Sequence, residues 1–394
     1  MAVRKRIWKT ATGEQREKWV VDYYAKDRKS GETKRHWETF ERKGDADNRE
    51  AEVKIDIRKG VFVPPSTSIT IGEAAKLWLE VVNADELDGK IERSTAHGYA
   101  TEVRHLIALV GDIKLAFFSM AAVRQLEGEL RKKHSLVMTK RILQTLRRIF
   151  SDAHERGLCA VNPVSELKRK RGKRGERKSA RDRGKKLKVG VDIPSPQEIR
   201  AILEHATPQW KTLLLVAAFT GLRASELRGL RWINVDLQKG EIHVVERADR
   251  FGTMGATKSD AGNRTVNMPR AVVSALREWK LAHPGEYVFP AQRAKILSLR
   301  IMVACGLLPA VEAAKLFNAD GKLKYTGMHC LRHFYASWLI NRIADGGCEL
   351  PPKVVQDQLG HSTLAMTMDR YGHLFPRTDS TGVLDRAADS LLGA

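Results

Sequence analysis

A run of basic residues between Lys168 and Lys188 divides this chain into parts that cannot share one core. It holds thirteen Lys and Arg against Glu176 and Asp182, a net charge of +11, which is half of the +22 carried by all 394 residues. Because so charged a segment cannot bury surface, it is predicted to be a flexible linker. A chain of this length also exceeds one ordinary core, so two or three domains are expected.

The charge balance also bears on what the chain binds. A pI near 9.9 with 42% hydrophobic residues describes a chain that can fold and that favours a polyanionic partner, because each neutralised phosphate releases counterions. Neither an N-terminal signal segment nor a run of about 18 apolar residues is present, so a soluble, cytoplasmic protein without membrane contact is expected. Reduced thiols rather than a disulfide framework are predicted from the scattered cysteines Cys159, Cys305, Cys330 and Cys348.

Residues 1–63 are predicted to form a small α+β domain. Apolar and polar side chains alternate over residues 19–24 and again over residues 36–40, with the period of antiparallel strands. A helix is predicted from about Ala46 to Arg58. The expected fold is a three-stranded sheet plus one helix.

Residues 64–167 are predicted to form a helical bundle. Thr70 and Glu73 form a capping box that opens its first helix. Apolar periodicity then predicts three more helices, at about residues 94–109, 120–131 and 135–156. Four helices of this length are enough for a compact bundle.

The basic linker, taken as residues 168–190, is followed by a helix whose start is marked in the sequence. Ser195 can cap the helix, Pro196 occupies its first position and Glu198 its third. A third domain is therefore predicted to begin close to this point.

That third domain, residues 191–394, is predicted to be mixed α/β. Strands are expected at residues 241–246 and 264–268, on either side of a Gly-rich loop, and helices from Arg270 onward. The predicted fold class is thus a multidomain chain, mainly α with small β-sheets.

Seven residues of matched chemistry follow one another in the third domain. Two guanidiniums, two imidazoles and an ammonium suit the negative charge that develops on a phosphodiester under attack. A tyrosine hydroxyl can be the nucleophile. The seven are Arg223, Glu226, Lys258, His329, Arg332, His361 and Tyr371.

The segments around these residues resemble the tyrosine recombinases, the phage-integrase family of site-specific DNA recombinases. They read TGLRASEL at 220–227, TK at 257–258, HCLRH at 329–333, LGH at 359–361 and YGH at 371–373. The resemblance covers about residues 70–380. It implies an enzyme that cleaves and rejoins DNA strands through a covalent 3′-phosphotyrosyl intermediate, with no metal and no other cofactor.

By this resemblance, four of the residues hold or attack the phosphate. Arg223 and Arg332 would clamp its oxygens, a role that suits a planar, always charged and bidentate guanidinium. His361 would donate a hydrogen bond to a non-bridging oxygen. Tyr371 would attack the phosphorus and expel a 5′-hydroxyl.

The other three residues would move protons or orient their neighbours. The resemblance makes Lys258 the general acid that protonates the departing 5′-oxygen, and lysine suits this task because its proton is transferable. His329 would exchange a proton with the tyrosine, as a general base. Glu226 would orient the histidine and the arginine; a plain helix-surface carboxylate is its alternative.

The resemblance also implies partners. Four protomers would assemble on double-stranded DNA at two core-type attachment sites, assisted by DNA-bending proteins and directionality factors. Residues 1–63 resemble the domain with which phage integrases bind arm-type sites, the alternative being a generic basic β-module. This extra domain favours an integrase of a phage or mobile element over a chromosome-dimer resolvase. In the linker, the side chains expected to follow the DNA backbone are Lys168, Arg169, Lys170, Arg171, Lys173 and Arg174.

Three alternatives remain open from the sequence. A zinc site could use His329 and His333, one helical turn apart, with His361 and His373 as further ligands. Against it, Cys330 stands where a metalloprotease needs Glu, and Arg332 would repel the ion. A type IB topoisomerase shares the nucleophile and much of the cationic set. The third alternative is a DNA-binding protein without catalysis, which would need neither the nucleophile nor the catalytic cations.

Overall fold

The computed structural model describes residues 2–10, 14–26, 33–58, 68–165, 186–257, 259–291, 296–376 and 380–393. The chain folds as two compact units, Met1–Arg181 and Asp182–Ala394. Over these described ranges, none of the helices combines the length and the apolar character that crossing a bilayer requires. The predicted fold class is confirmed, since the chain is mainly helical with small antiparallel sheets. The residue numbers predicted for the domain boundaries stay predictions.

The first unit begins with a three-stranded antiparallel sheet in the order β1–β2–β3, followed by a helix, as predicted. The elements are β1 (Ala2–Lys9), β2 (Gln15–Lys26), β3 (Thr33–Phe40) and α1 (Lys43–Arg58). Val21 and Tyr23 on one face of the sheet pack against Ala46 and Val53 of the helix. The helix therefore covers a single face of the sheet.

A four-helix bundle completes the described part of the first unit, also as predicted. The helices are α2 (Ile71–Leu87), α3 (Arg93–Val110), α4 (Met120–Lys133) and α5 (Leu136–Glu155). Thr70 and Glu73 form the predicted capping box. Ile142, Leu146 and Ile149 of α5 are fully buried in its core. The linker residues from Lys168 to Arg174 lie outside the described part of the chain.

The second unit opens with the predicted helix start. Ser195 and Glu198 form a reciprocal capping box, with Pro196 at the first position. Two small sheets follow, one in the order β4–β5–β8 and one of β6 and β7. The elements as far as the last strand are α6 (Pro196–His205), α7 (Pro208–Thr220), α8 (Ala224–Arg228), β4 (Val235–Asp236), β5 (Glu241–Val244), β6 (Glu246–Ala248), β7 (Met254–Ala256) and β8 (Arg264–Asn267).

The prediction missed strands β4 and β7, and it placed β7 in a loop. It also made residues 241–246 one strand, whereas the structure ends β5 at Val244 and begins β6, in the other sheet, at Glu246. Met254–Ala256 combines a glycine and an alanine, residues that are poor in strands. The pairing is set up by a turn instead, because the Asp249 carboxylate accepts the backbone N–H groups of Phe251 and Thr253. Gly252 adopts the left-handed conformation within that turn.

Helices dominate the rest of the second unit, as predicted. They are α9 (Arg270–Ala282), α10 (Leu299–Ile301, continued by a π-helical stretch Met302–Leu307 and by Leu308–Ala313), α11 (His329–Ile340), α12 (Pro352–Leu359), α13 (Leu364–Tyr371) and α14 (Ser380–Leu392). Helix α11 is buried along almost its whole length and packs on α7, where the rings of Phe219 and Phe334 meet edge to face at 5.9 Å. A buried helix is a rigid support for polar groups at its start.

Candidate active site

Arg223 follows a sharp turn at the end of α7. Gly221 is left-handed there, with φ of 58°, and an added Cβ would stand 2.2 Å from the ring of Tyr335, so only glycine fits. Arg223 then precedes α8, and its backbone N–H donates to Glu226 at 2.8 Å. Its side chain donates to Glu226 at 2.7 Å and to the carbonyl oxygen of Gly360 at 2.8 Å.

Arg332 lies on α11 and is buried. Its guanidinium donates to the carbonyl oxygen of Gly221 at 2.6 Å and to that of Leu359. Burial, and next the Arg223 guanidinium, lower the pKa of Arg332 to about 9, which leaves the side chain charged at pH 7. The two predicted arginines are therefore held on consecutive carbonyl groups, those of residues 359 and 360, immediately before His361.

Glu226 is buried and binds a second arginine that the sequence analysis did not select. Arg264 of β8 donates to both carboxylate oxygens, at 2.9 and 3.2 Å, and to the carbonyl oxygen of Gln358 at 2.9 Å. Burial raises the pKa of Glu226, but hydrogen bonding to Arg264 and the charges of Arg264 and Arg223 outweigh it and lower the pKa to about 2. The helix-surface alternative for Glu226 is wrong, because this carboxylate is 3% exposed.

The signal for Arg264 was present in the sequence. In the four-residue strand β8, Thr265 and Asn267 are exposed whereas Arg264 and Val266 point inward. An inward-facing charge on a short strand requires a buried partner. Alternation along the predicted strand could therefore have identified Arg264.

His361 follows a second left-handed glycine, Gly360, which ends α12. Its ring nitrogen Nδ1 lies 2.9 Å from the hydroxyl of Thr367, a fully buried residue of α13. Burial, followed by the charges of Arg332 and Arg223, lowers the pKa of His361 to about 4, so the ring is neutral at pH 7. With Nδ1 engaged by Thr367, Nε2 is the atom that can face a phosphate.

Tyr371 ends α13 and is buried, with its ring parallel to that of His361 at 6.4 Å. Burial raises the pKa of Tyr371 to about 12, against the opposing charges of Arg332 and Arg370. Among the residues that the structure describes, the hydrogen-bond partner of the phenol is His333, whose Nδ1 lies 2.6 Å from Oη. The sequence analysis considered His333 only as a zinc ligand.

His329 starts α11, and its ring meets that of His333 edge to face at 4.6 Å. Burial, followed by the charge of Arg332, lowers the pKa of His329 to about 4. Lys258 lies outside the described residues, between Thr257 and Ser259, so its predicted role stays a prediction. Within the described ranges, no three His, Cys, Asp or Glu side chains are grouped as a metal site requires.

The described site is thus a set of buried and half-buried cations and neutral imidazoles around one tyrosine. Its side chains come from α11, α13, strand β8, the start of α8 and the turns that precede α8 and α13, at positions almost 150 residues apart. The cations are held by backbone carbonyls and by one carboxylate. Such a pre-organised site can stabilise an anionic transition state without rearranging.

Comparison with known proteins gives a consistent result. Residues 194–377 match the model of the phage integrase family. A tyrosine recombinase XerC-like protein of Caldanaerobacter subterraneus subsp. tengcongensis is 26% identical over 86% of this chain and 88% of its own length. Tyrosine recombinase XerC of Xylella fastidiosa (strain M23) is 27% identical over 71% of this chain and 86% of its own.

Two solved structures have a similar fold. The Tn1549 transposon integrase in complex with a circular intermediate DNA has a TM-score of 0.62 at 17% identity, over 82% of this chain and 99% of the other. A lambda integrase dimer bound to a COC′ core site has a TM-score of 0.57 at 16% identity, over 95% and 97% of the two chains.

Proposed function

This chain belongs to the phage integrase family of tyrosine recombinases, which cleave and rejoin DNA, and from that premise we propose that it is the site-specific integrase of a phage or mobile element. It integrates and excises DNA at attachment sites through a covalent 3′-phosphotyrosyl intermediate. The observation that carries the proposal is the placement of Arg223 and Arg332 on consecutive carbonyls directly before His361.

In the proposed reaction, the Tyr371 oxygen bonds to the scissile phosphorus as the bond from phosphorus to the 5′-oxygen breaks. Arg223 and Arg332 neutralise the non-bridging oxygens, and His361 donates a hydrogen bond to one of them. Lys258 gives its proton to the departing 5′-oxygen. Each pre-organised donor of this kind is worth roughly 3–4 kcal/mol of transition-state stabilisation.

A groove between α3 and α5 of the bundle supports binding to a core-type site. Arg141 is exposed and is oriented by the buried Glu102 at 3.1 Å. Arg148 lies over the ring of Tyr99 at 4.9 Å, and Gln144 lines the same groove. Both guanidiniums are held in place by neighbouring side chains and remain accessible to solvent. Such groups suit contact with DNA phosphates and base edges.

The N-terminal sheet supports binding to an arm-type site. The face that α1 leaves uncovered carries exposed aromatic residues, Tyr24 and Trp37, and exposed arginines, among them Arg4 and Arg35. A three-stranded sheet with a basic and aromatic face can bind a DNA groove through phosphate contacts and stacking. A domain with such a face favours an integrase that uses accessory sites.

Assembly and accessory partners form part of the proposal. A lambda integrase tetramer bound to a Holliday junction is among the solved structures of similar fold, which supports four protomers on two DNA sites. The integrase would also use DNA-bending and directionality factors. A second candidate, a recombinase that exchanges two chromosomal sites without arm sites, is favoured by the similarity to proteins named XerC.

The test uses DNA that flanks the gene of this protein. Nicked duplexes from that region are incubated with the wild type and with Tyr371→Phe, and an SDS-resistant adduct is sought. We expect an adduct with the wild type alone, with the nucleotide attached to Tyr371. DNA that is retained but never attached would favour a catalytically silent DNA-binding protein.

Two further assays separate the enzymatic candidates. Relaxation of any plasmid without joining of two sites would favour a type IB topoisomerase. Recombination of paired core sites that continues unchanged after deletion of residues 1–63 would favour the recombinase without arm sites. We expect instead that this deletion abolishes binding to accessory sites and leaves cleavage of short core duplexes intact.

A further inference from the structure

The hydroxyl of Tyr371 is paired with a histidine that the resemblance did not assign. His333 Nδ1 lies 2.6 Å from Tyr371 Oη, and both side chains are buried. We propose that His333, rather than His329, accepts the phenolic proton when Tyr371 attacks the phosphate. This inference rests on the proposed function, because it needs Tyr371 as the nucleophile.

The geometry along α11 separates the two histidines. His329 and His333 are one helical turn apart on the same face, with ring centroids 4.6 Å apart. His333 stands next to the tyrosine, with its ring centroid 5.8 Å from that of Tyr371. A general base must be within hydrogen-bonding reach of the proton that it removes, and His333 meets this condition in the structure.

Protons balance in the proposed step. The Oη–H bond of Tyr371 breaks and its proton moves to Nδ1 of His333, in the tautomer that carries its hydrogen on Nε2. At the same time Oη bonds to phosphorus, and the 5′-oxygen leaves with a proton from Lys258. In the rejoining step the imidazolium returns its proton to Oη, and the DNA 5′-hydroxyl returns its proton to Lys258.

The charges around His333 explain how its basicity can depend on DNA. Burial lowers the pKa of His333 to about 3, aided by His329 and Arg332 on its own helix and by Arg370 beside Tyr371; Asp192 acts in the opposite direction. The ring is therefore neutral, with a lone pair available. A phosphate bound between the two catalytic arginines adds negative charge, which raises the pKa of the ring toward the working range of a base.

The experiment measures single-turnover formation of the adduct on a nicked duplex. The variants are His333→Ala and the matched control His329→Ala, each made with Tyr371 and with a fluorinated tyrosine at position 371. Fluorination lowers the pKa of the phenol, so the nucleophile needs less help from a base. His333→Gln is added as a variant that keeps a hydrogen-bond acceptor but cannot take up a proton.

We expect His333→Ala and His333→Gln to slow adduct formation by roughly 100-fold or more. We also expect the fluorinated tyrosine to restore most of this rate, and to restore that of His329→Ala by much less. A rate within about threefold of the wild type for both His333 variants, or restoration confined to His329→Ala, would overturn the proposal. The His333→Gln variant keeps the test open if the alanine variant does not fold. Absence of any adduct with the wild type would instead refute the proposed function.

Discussion

The two units of this protein each contain one carboxylate held between two arginines, and the two clusters differ mainly in burial. In the first unit Asp22 accepts hydrogen bonds from Arg4 and Arg35 on the open face of the sheet. Both guanidiniums stay in solvent, with side chains 57% and 50% exposed. The carboxylate orients them and leaves their outer donors accessible.

In the second unit Glu226 lies between Arg264 and Arg223. The Arg264 side chain is 6% exposed and donates its hydrogen bonds to Glu226 and to backbone carbonyls. That of Arg223 is 35% exposed. In the first unit, one carboxylate and two arginines therefore leave both arginines on the surface. In the second unit the same three charges bury Arg264 as a structural group and leave Arg223 partly exposed for the proposed chemistry.

The largest predicted effect is on the buried arginine. Arg264→Met removes two donors from a carboxylate that is 3% exposed and should lower the free energy of unfolding of the second unit by about 3–5 kcal/mol. Arg35→Met, made at a pair whose arginine is half exposed, should cost the first unit less than about 1 kcal/mol. Hydrogen exchange of the full chain in urea reports each unit separately. Equal losses would mean that burial does not distinguish the clusters.

The second prediction separates the two arginines of the buried cluster. Arg223→Ala should slow adduct formation by roughly 100–1,000-fold. It should change stability much less than Arg264→Met, because Glu226 keeps both Arg264 contacts and the backbone N–H of Arg223. The matched control is Arg231→Ala, since the Arg231 side chain is equally exposed at 35% and also pairs with carboxylates.

Arg231→Ala should leave the adduct rate within about twofold of the wild type, because a surface ion pair is worth little. A large rate loss there would show that the assay reports general damage to the domain. A small loss in Arg223→Ala would remove Arg223 from the chemistry.

The third prediction concerns acid. The pKa of Glu226 is about 2 in the folded protein against an ordinary 4.5. A lowered folded pKa gives stability that is present above the unfolded pKa and is lost as pH falls toward the folded one. Between pH 6 and pH 3 the second unit of the wild type should therefore lose about 2 kcal/mol more unfolding free energy than Glu226→Gln. Parallel pH profiles of the two proteins would contradict this.

Many of the structural features of the two units, but not all of them, could be predicted from the sequence. Helix starts set by neighbouring residues, such as the capping boxes at Thr70 and Ser195, were predicted correctly because their hydrogen bonds are local. Strand β7 was missed because a turn at Asp249, and not the composition of the strand, brings it into place.

The site shows the same division between local and distant causes. Arg332 and Tyr371 stand in segments that resemble a known family, so they were selected from sequence. Arg264 and His333 were not selected. Strand alternation could have placed Arg264 inside, but its partner, like that of His333, lies 38 residues away and is supplied by the fold. The role of such a polar residue can be assigned only when the fold shows which side chain it contacts.

The smallest predicted effect tests whether the exposed cluster meets DNA. Arg4 and Lys5 are neighbours on β1 whose side chains point to opposite faces of the sheet, Arg4 toward Asp22 and Lys5 toward Glu17. In a Tyr371→Phe background that cannot cleave, Arg4→Ala should weaken binding to a duplex flanking the gene by roughly tenfold at low salt. It should also make the slope of log affinity against log salt less steep by about 0.9, the value for one phosphate contact.

Lys5→Ala should leave that slope unchanged, because its face of the sheet is the one that packs against α1. Equal changes of slope for the two variants would mean that the basic residues of this sheet act through net charge alone. The orientation of Arg4 by Asp22 would then have no part in DNA binding. The two clusters would share their residue types but not a role in placing an arginine for contact with DNA.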